Sequence, residues 1–435
     1  MTKLPGIFSN GMILQRDRTC AVWGTEDTSG ISEVKVTLEG KTYTSEVKDG
    51  SFCVILPPHE AATGLTIEIT GSTKIVLMDV CYGDVYLLTG QSNMELPVYR
   101  TRDVSQEEIE ASDYPYIRQY RVTPQFRLSE EKLADLPILP WTKATPDQIG
   151  EMSAAGFYCA HRIYDEKKVP IGLVLGAQGG SNIESWMPAE LLKQYGDYEK
   201  IFAPFLEDGA LQKYLMEKDG RIGAMRRALE RPEDEVLCRQ IPEDAVDFAV
   251  PGMILSSEVE KIRREKETEE TRKLSGGEVV LPEGFTGVAW FYKEFELKEE
   301  PGDSAFAYVG NLIDADQTFI NGELIGRTEY RYPPRKYPFH PGILKKGKNL
   351  LCVRLLIEGG SGGFVGAHPY YLTSGSERID LTGTWKMVFG AKNETPIEAG
   401  PVGQESSNGL MGQEVPTALY KATIRPLLPY SFRGI

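Results

Sequence analysis

The chain has 435 residues, 41% of them hydrophobic and 10% aromatic, and its 63 acidic against 48 basic side chains give a formal net charge of −15. It is too long for one ordinary core and apolar enough for several, so two to four folded domains are expected rather than a disordered chain. The acidic balance repels phosphate backbones and anionic headgroups, which removes nucleic acid and membrane surfaces from the expected partners.

The six cysteines, Cys20, Cys53, Cys81, Cys159, Cys238 and Cys352, are scattered, and none forms a C-x-x-C pair. With four histidines in the chain, this spacing predicts free thiols and no metal site. The N-terminus "MTKLPGIFSNGMILQRD" lacks an apolar signal core, and no window reaches the roughly 18 apolar residues of a membrane span. A cytoplasmic protein is expected, or a secreted one if a leader has been removed.

In chain order, residues 1–80 are short alternating runs closed by turn residues: "TCAVWG", "SEVKVTLEG", "KTYTSEVKDG", "SFCVILPP", "LTIEITG" and "TKIVLMDV". The period of two predicts an N-terminal β-sandwich domain. From residue 81 the pattern changes. "DVYLL" is a continuous apolar run, "YIRQYRV" (116–122) and "IGLVLG" (171–176) are further strands, and "SAAGFYCAHRIYDEKKVP" before the last has helical spacing and stops at Lys167, Lys168 and Pro170. Strand, helix and strand in this order predict a right-handed βαβ unit and an α/β domain with a parallel sheet, whose first part is assigned to 81–277. Residues 189–275 read as helix-rich and charged, ending in "EVEKIRREKETEETRK", a solvated face that spaces domains. Alternation returns over 278–395, with an Asn-Gly hairpin in "INGELIG", and predicts a second β-sandwich, of jelly-roll type. Residues 396–435 end in "VPTALYKATIRPLLPYSFRGI", read as one helix and the first residues of another strand.

Two stretches carry chemistry. In "DVYLLTGQSNME" (84–95), Ser92 follows a buried strand and Gly90, where open α/β sheets bind their ligands. It is a nucleophile candidate, with helix N-capping as the structural alternative. The fifth position is Met94, so this is not the G-x-S-x-G elbow. In "LGAQGGSNIESWMP" (175–188), Gly179 and Gly180 expose backbone amides of the kind an oxyanion hole needs, or else make a plain turn.

Together the two stretches resemble the sialate O-acetylesterase family, a branch of the SGNH/GDSL hydrolases, in which a "GQSNM" serine and a "GG-x-x-x-E-x-W" loop form the first two sequence blocks. "FSNGMILQRD" with "AVWG" is similar to that family's N-terminal β-domain, residues 287–360 to its inserted sugar-binding-like jelly roll, and "YKATIRPLLPYSFRGI" to the return from the insert. The resemblance implies an SGNH-type fold and hydrolysis of acetyl esters on sugars without metal or organic cofactor. It makes Ser92 the nucleophile, the Ser92 amide with Gly179 or Gly180 the oxyanion hole, and Asn93, Glu184 and Trp186 pocket residues; as residues, Trp186 also suits a core and Glu184 a helix start.

A serine needs a base within hydrogen-bond reach. The family's base is the histidine of a D-x-x-H motif, and a further oxyanion donor is an asparagine in a Q-G-E-S-N-like segment; neither motif occurs here. His59, His161, His340 and His368 are preceded at the third position by Leu56, Tyr158, Tyr337 and Val365, and each is expected to have a surface or structural role, His368 being the one whose loop could lean over the cleft. The hydrolase domain is therefore expected to be cut short at Ile435, its sheet completed by a second polypeptide or by self-association. The expected function is a sialate 9-O-acetylesterase-like carbohydrate O-acetylesterase acting on an acetylated carbohydrate, inactive or active as this chain alone. The alternatives are a non-catalytic carbohydrate-binding protein using the jelly roll and an acetylxylan-type esterase.

Overall fold

The computed structural model describes residues 1–101, 107, 109–123, 125, 126, 128, 136, 139–250, 279, 280, 285–331, 333–358, 362–393 and 410–435. By compactness the chain divides into two units, residues 1–215 with 411–435 and residues 216–410. It is a mixed α/β protein with several sheets.

The strands of the first unit are β1 (Thr2–Lys3), β2 (Ile13–Gln15), β3 (Cys20–Glu26), β4 (Glu33–Leu38), β5 (Lys41–Glu46), β6 (Ser51–Leu56), β7 (Ala62–Thr70), β8 (Lys74–Gly90), β9 (Tyr114–Arg121), β10 (Thr142–Ala144) and β11 (Ile171–Ala177). Each N-terminal alternating run becomes a strand. In β6, Phe52, Val54 and Leu56 are buried while Ser51, Cys53 and Ile55 face out, as a pleat with one apolar face requires. Val22 and Trp23 of β3 and Val54 share one core with Val36 of β4 and Ile67 and Ile69 of β7, so two sheets close on the same apolar interior. Among the described residues the larger sheet has eight strands, in the order β10-β9-β11-β8-β7-β4-β5 with β2 also on β8.

The 17-residue β8 joins the two halves of that sheet. Its first half is antiparallel to β7, whereas residues 84–90 run parallel to β11, Asp84 opposite Ile171 and Gly90 opposite Ala177. Every residue of β11 is buried, which explains its uninterrupted apolar run. β9 lies parallel on the other side of β11, so β9, the following helix and β11 form the expected βαβ unit. Gly83 makes the β8–β11 junction possible: a Cβ there would lie 2.0 Å from the carbonyl oxygen of Pro170, the residue before β11. On the opposite edge of β8 the Arg433 amide donates to the Val85 carbonyl (2.7 Å) and the Leu87 amide to the Gly434 carbonyl (3.0 Å), an isolated parallel bridge between Tyr86 and Gly434.

The helix Ala154–Lys167 starts at Ser153, whose Oγ accepts from the Gly156 amide (3.0 Å) and donates to the Met94 carbonyl (2.6 Å). It stops where Lys168 turns left-handed at φ 53°, next to Pro170. The segment expected to be one helix near the C-terminus is a π turn, Tyr420–Ile424, and then a 3-10 turn, Arg425–Leu427. Pro426 has no amide proton to continue an α ladder, so the chain changes its winding there.

The second unit holds two antiparallel sheets. The first orders strands Val246–Val250, Gly383–Lys392, Gly287–Leu297, Gly347–Ile357, Ala315–Ile320 and Glu323–Thr328; the second contains Val279–Val280, Gly363–Ser374, Ala305–Ile313 and Lys336–Phe339, with Glu377–Asp380 beside Gly363–Ser374. Phe291, Val353, Val309, Phe364 and Leu372 meet in one core. The Asn-Gly hairpin forms with Asn321 at φ 51° and Gly322 at φ 84°, the doubly positive geometry that matches strand twist. The strand Val246–Val250 lies in a stretch read as helical spacer, because its short run VDFAV is paired to Gly383–Lys392 by tertiary contact rather than marked by local pattern. The charged run "EVEKIRREKETEETRK" lies outside the described residues. No described helix is long and apolar enough to cross a membrane.

At the β8 junction, Asp84 is fully buried and accepts from Arg16 Nε (2.9 Å) and Nη2 (3.1 Å). Burial opposes its ionisation, but the Arg16 guanidinium outweighs that and holds the carboxyl below the usual carboxylate range. Asp84→Asn is expected to lose about 2 kcal/mol at neutral pH by denaturant unfolding. A depressed carboxyl stabilises the fold above its unfolded pKa of about 4 and loses that effect as pH falls through the folded value, so variant and wild type should converge in strong acid. Ser153→Ala, which removes the helix cap and the tether to Met94, is expected to cost about 1 kcal/mol, read as a lower Tm.

Candidate active site

β8 ends at Gly90, with φ 134°, and the chain enters a single helical turn, Ser92–Glu95. The Met94 and Glu95 amides donate to the Gln91 carbonyl and the Leu96 amide to the Ser92 carbonyl. Gln91 is the N-cap and Ser92 the first helical residue, so the serine hydroxyl is not spent on capping. Ser92 is exposed, and among the described residues its hydroxyl has no hydrogen-bond partner.

Since β8 and β11 are parallel, the loop after β11 emerges at the same sheet end. Three hydrogen bonds stitch the two loops together. The Gln178 amide donates to the Gly90 carbonyl (3.0 Å), Gln91 Nε2 donates to the Ser181 carbonyl, and the Gly179 amide donates to Glu95 Oε2 at 2.6 Å. A Cβ on Gly179 would sit 3.4 Å from Ser92 Cβ and 3.2 Å from Glu95 Oε2, so the loop passes within one side-chain atom of the serine. Gly180 adopts φ 73°, and among the described residues its amide has no acceptor. The structure thus brings together Ser92, the neighbouring exposed Asn93, Gly179 and Gly180.

Glu184 and Trp186 brace the loop. Trp186 Nε1 donates to Ser181 Oγ (2.8 Å), which donates to the Gln178 carbonyl (2.8 Å). Glu184 Oε1 accepts from the Tyr198 hydroxyl (3.2 Å), pushing the pKa of that phenol up, and the Glu184 carbonyl accepts from the Thr417 amide (2.8 Å). Asn182 Nδ2 donates to the Glu414 carbonyl (3.2 Å), so the returning C-terminal segment backs the glycine loop.

Two residues at this end escaped the sequence reading. Glu95 holds the Gly179 amide with one oxygen and accepts from Arg121 Nη2 (2.9 Å) with the other; Arg121 ends β9. The signal for Glu95 was its spacing, one helical turn after Ser92 and therefore on the same face. Arg121 carried no local signal. The histidines of this unit are engaged elsewhere. His59 stacks on Tyr82 with ring centroids 4.5 Å apart, far up β8 from the serine, and His161 lies two helical turns beyond Ser153, on Phe157 and paired with Asp165 (3.1 Å). In the other unit, His340 caps a short turn by accepting from the Gly342 amide, and burial lowers the pKa of half-buried His368. Among the described residues no cluster of three or more His, Cys, Asp or Glu is arranged to hold a metal ion.

Residues 82–205, which contain both loops, match the family model described as carbohydrate esterase, sialic acid-specific acetylesterase. Sialate O-acetylesterase of Rattus norvegicus is 32% identical over 208 residues, covering 43% of this chain and 38% of that protein; the Homo sapiens sialate O-acetylesterase is 30% identical over 208 residues, covering 43% and 39%. The chain thus spans about two fifths of the length of the curated relatives it matches. A carbohydrate acetylesterase from Xanthomonas citri, known from its crystal structure, is 33% identical with 44% of each chain covered and a TM-score of 0.41. Through the segment that builds the serine and glycine loops, the chain is similar to the sialic acid-specific acetylesterases among the carbohydrate esterases.

Proposed function

We propose that this chain is a carbohydrate O-acetylesterase with Ser92 as nucleophile, acting on O-acetylated sialic acid-type sugars. The observation that carries the reading is the approach of the glycine loop to the exposed, uncapped Ser92, where a Cβ on Gly179 would lie 3.4 Å from Ser92 Cβ. In this mechanism Ser92 Oγ adds to the acetyl carbonyl as its proton passes to a base. The carbonyl oxygen becomes anionic and is met by backbone amides at the start of the Ser92 turn and in the glycine pair, donors already in place before charge develops. Collapse expels the sugar hydroxyl, and water then releases acetate from the acetyl-serine. Asn93 beside the nucleophile contacts the sugar, and Glu184 and Trp186 keep the loop in register. The names of the curated relatives support a sialate substrate.

The test uses the 435-residue chain and its Ser92→Ala variant on 4-nitrophenyl acetate, a 9-O-acetylated sialic acid and an acetylated xylo-oligosaccharide. The expected result is turnover by the wild type, with the sialic acid ester preferred, and a loss of at least about a hundredfold in the variant. Equal background for both proteins overturns the esterase reading for this chain by itself. A preference for the xylan ester overturns the sialate assignment alone.

A further inference from the structure

The short contact between Glu95 and the glycine loop has a chemical consequence for the reaction proposed above, on which this inference rests. An amide N–H pointed at a carboxylate 2.6 Å away is committed, since a charge-assisted bond of that length is about twice as strong as a neutral one. The Gly179 amide therefore cannot also donate to an oxyanion forming on the substrate. The next amide, that of Gly180, has no acceptor among the described residues. A carboxylate beside a nascent oxyanion would by itself oppose the reaction. Here its second oxygen is paired with Arg121, from the end of β9, which supplies the compensating charge.

We propose that Glu95 is a positioning residue that pins Gly179 and, with Arg121 neutralising it, leaves the Gly180 amide as the oxyanion donor of the glycine pair. Three strand ends are coupled by this one carboxylate: β8 through the Ser92 turn that carries it, β11 through Gly179, and β9 through Arg121. The glycine at 179 fits the same design, since a Cβ there would crowd Glu95 Oε2 at 3.2 Å.

Residue-resolved hydrogen–deuterium exchange on the full chain tests the pin without needing turnover, and kinetics on 4-nitrophenyl acetate test its purpose. Glu95→Ala is expected to speed exchange of the Gly179 amide at least tenfold. Glu95→Gln keeps a carbonyl acceptor and should restore protection to within about threefold of wild type. In the kinetic arm Glu95→Ala should lower kcat at least tenfold with KM within about twofold, and Glu95→Gln should recover most of that loss. Unchanged exchange at Gly179 in Glu95→Ala, or equal acceleration in both variants, overturns the pin, and a kcat unmoved by Glu95→Ala in an active chain overturns its purpose. Failure of the esterase reading itself shows separately, as wild type and Ser92→Ala hydrolysing at the same rate, and the exchange result then still decides whether Glu95 holds the loop.

Discussion

The parallel pairing of β8 with β11 is the constraint on which the candidate site depends. Parallel neighbours deliver both following loops to the same sheet end, which is why open α/β folds gather their chemistry there. Here the register places Gly90 opposite Ala177, the last residues of both strands, and the Gln178 amide extends the ladder by one bond onto the Gly90 carbonyl. Ser92 and Gly179 meet only because the strands end level. A one-residue slip would therefore take the serine turn out of line with the glycine loop.

That register is held from the other end of the strand. Gly83 lets the Pro170 carbonyl approach, and the Asp84 amide donates to it at 2.9 Å, which starts the ladder. Gln15 Oε1 accepts from the Val85 amide (2.9 Å), while Arg16 occupies the Asp84 carboxylate. The N-terminal strands are thus anchored in the same strand that ends at the serine. This accounts for the grouping of residues 1–215 as one compact unit: β8 belongs to the antiparallel half of its sheet and to the parallel half at once, and no linker separates them.

Much of this was legible in the sequence where the physics is local. Continuous apolar runs marked β11 and the inner part of β8, because a strand buried on both faces has no polar side to alternate. Alternation marked the N-terminal strands and the hairpin at Asn321 and Gly322. The length of β8 was not legible, since "TKIVLMDV" alternates as a one-faced strand does and "DVYLL" does not, and the change of grammar reads as a boundary although the backbone passes straight through it. The braces were hidden for a different reason. Arg121 meets Glu95, and Thr417 meets the Glu184 carbonyl, across sequence gaps that no periodicity spans. Trp186 and Glu184 stood out as motif positions, but only coordinates separate a residue that lines a pocket from one that ties its loop to Ser181 or Tyr198.

The site combines an exposed nucleophile with a tightly bonded surround, and the two properties support each other. A hydroxyl that must reach a substrate acetyl group cannot be buried, so its position has to come from the backbone that carries it. That backbone is restrained from three directions: the Leu96 amide on the Ser92 carbonyl, the Ser153 hydroxyl on the Met94 carbonyl, and the Gly179 amide on the Glu95 carboxylate. Each restraint comes from a different element, and none uses the serine side chain. Catalysis by groups set before charge develops requires this division, in which the reacting atom stays free and the atoms behind it do not.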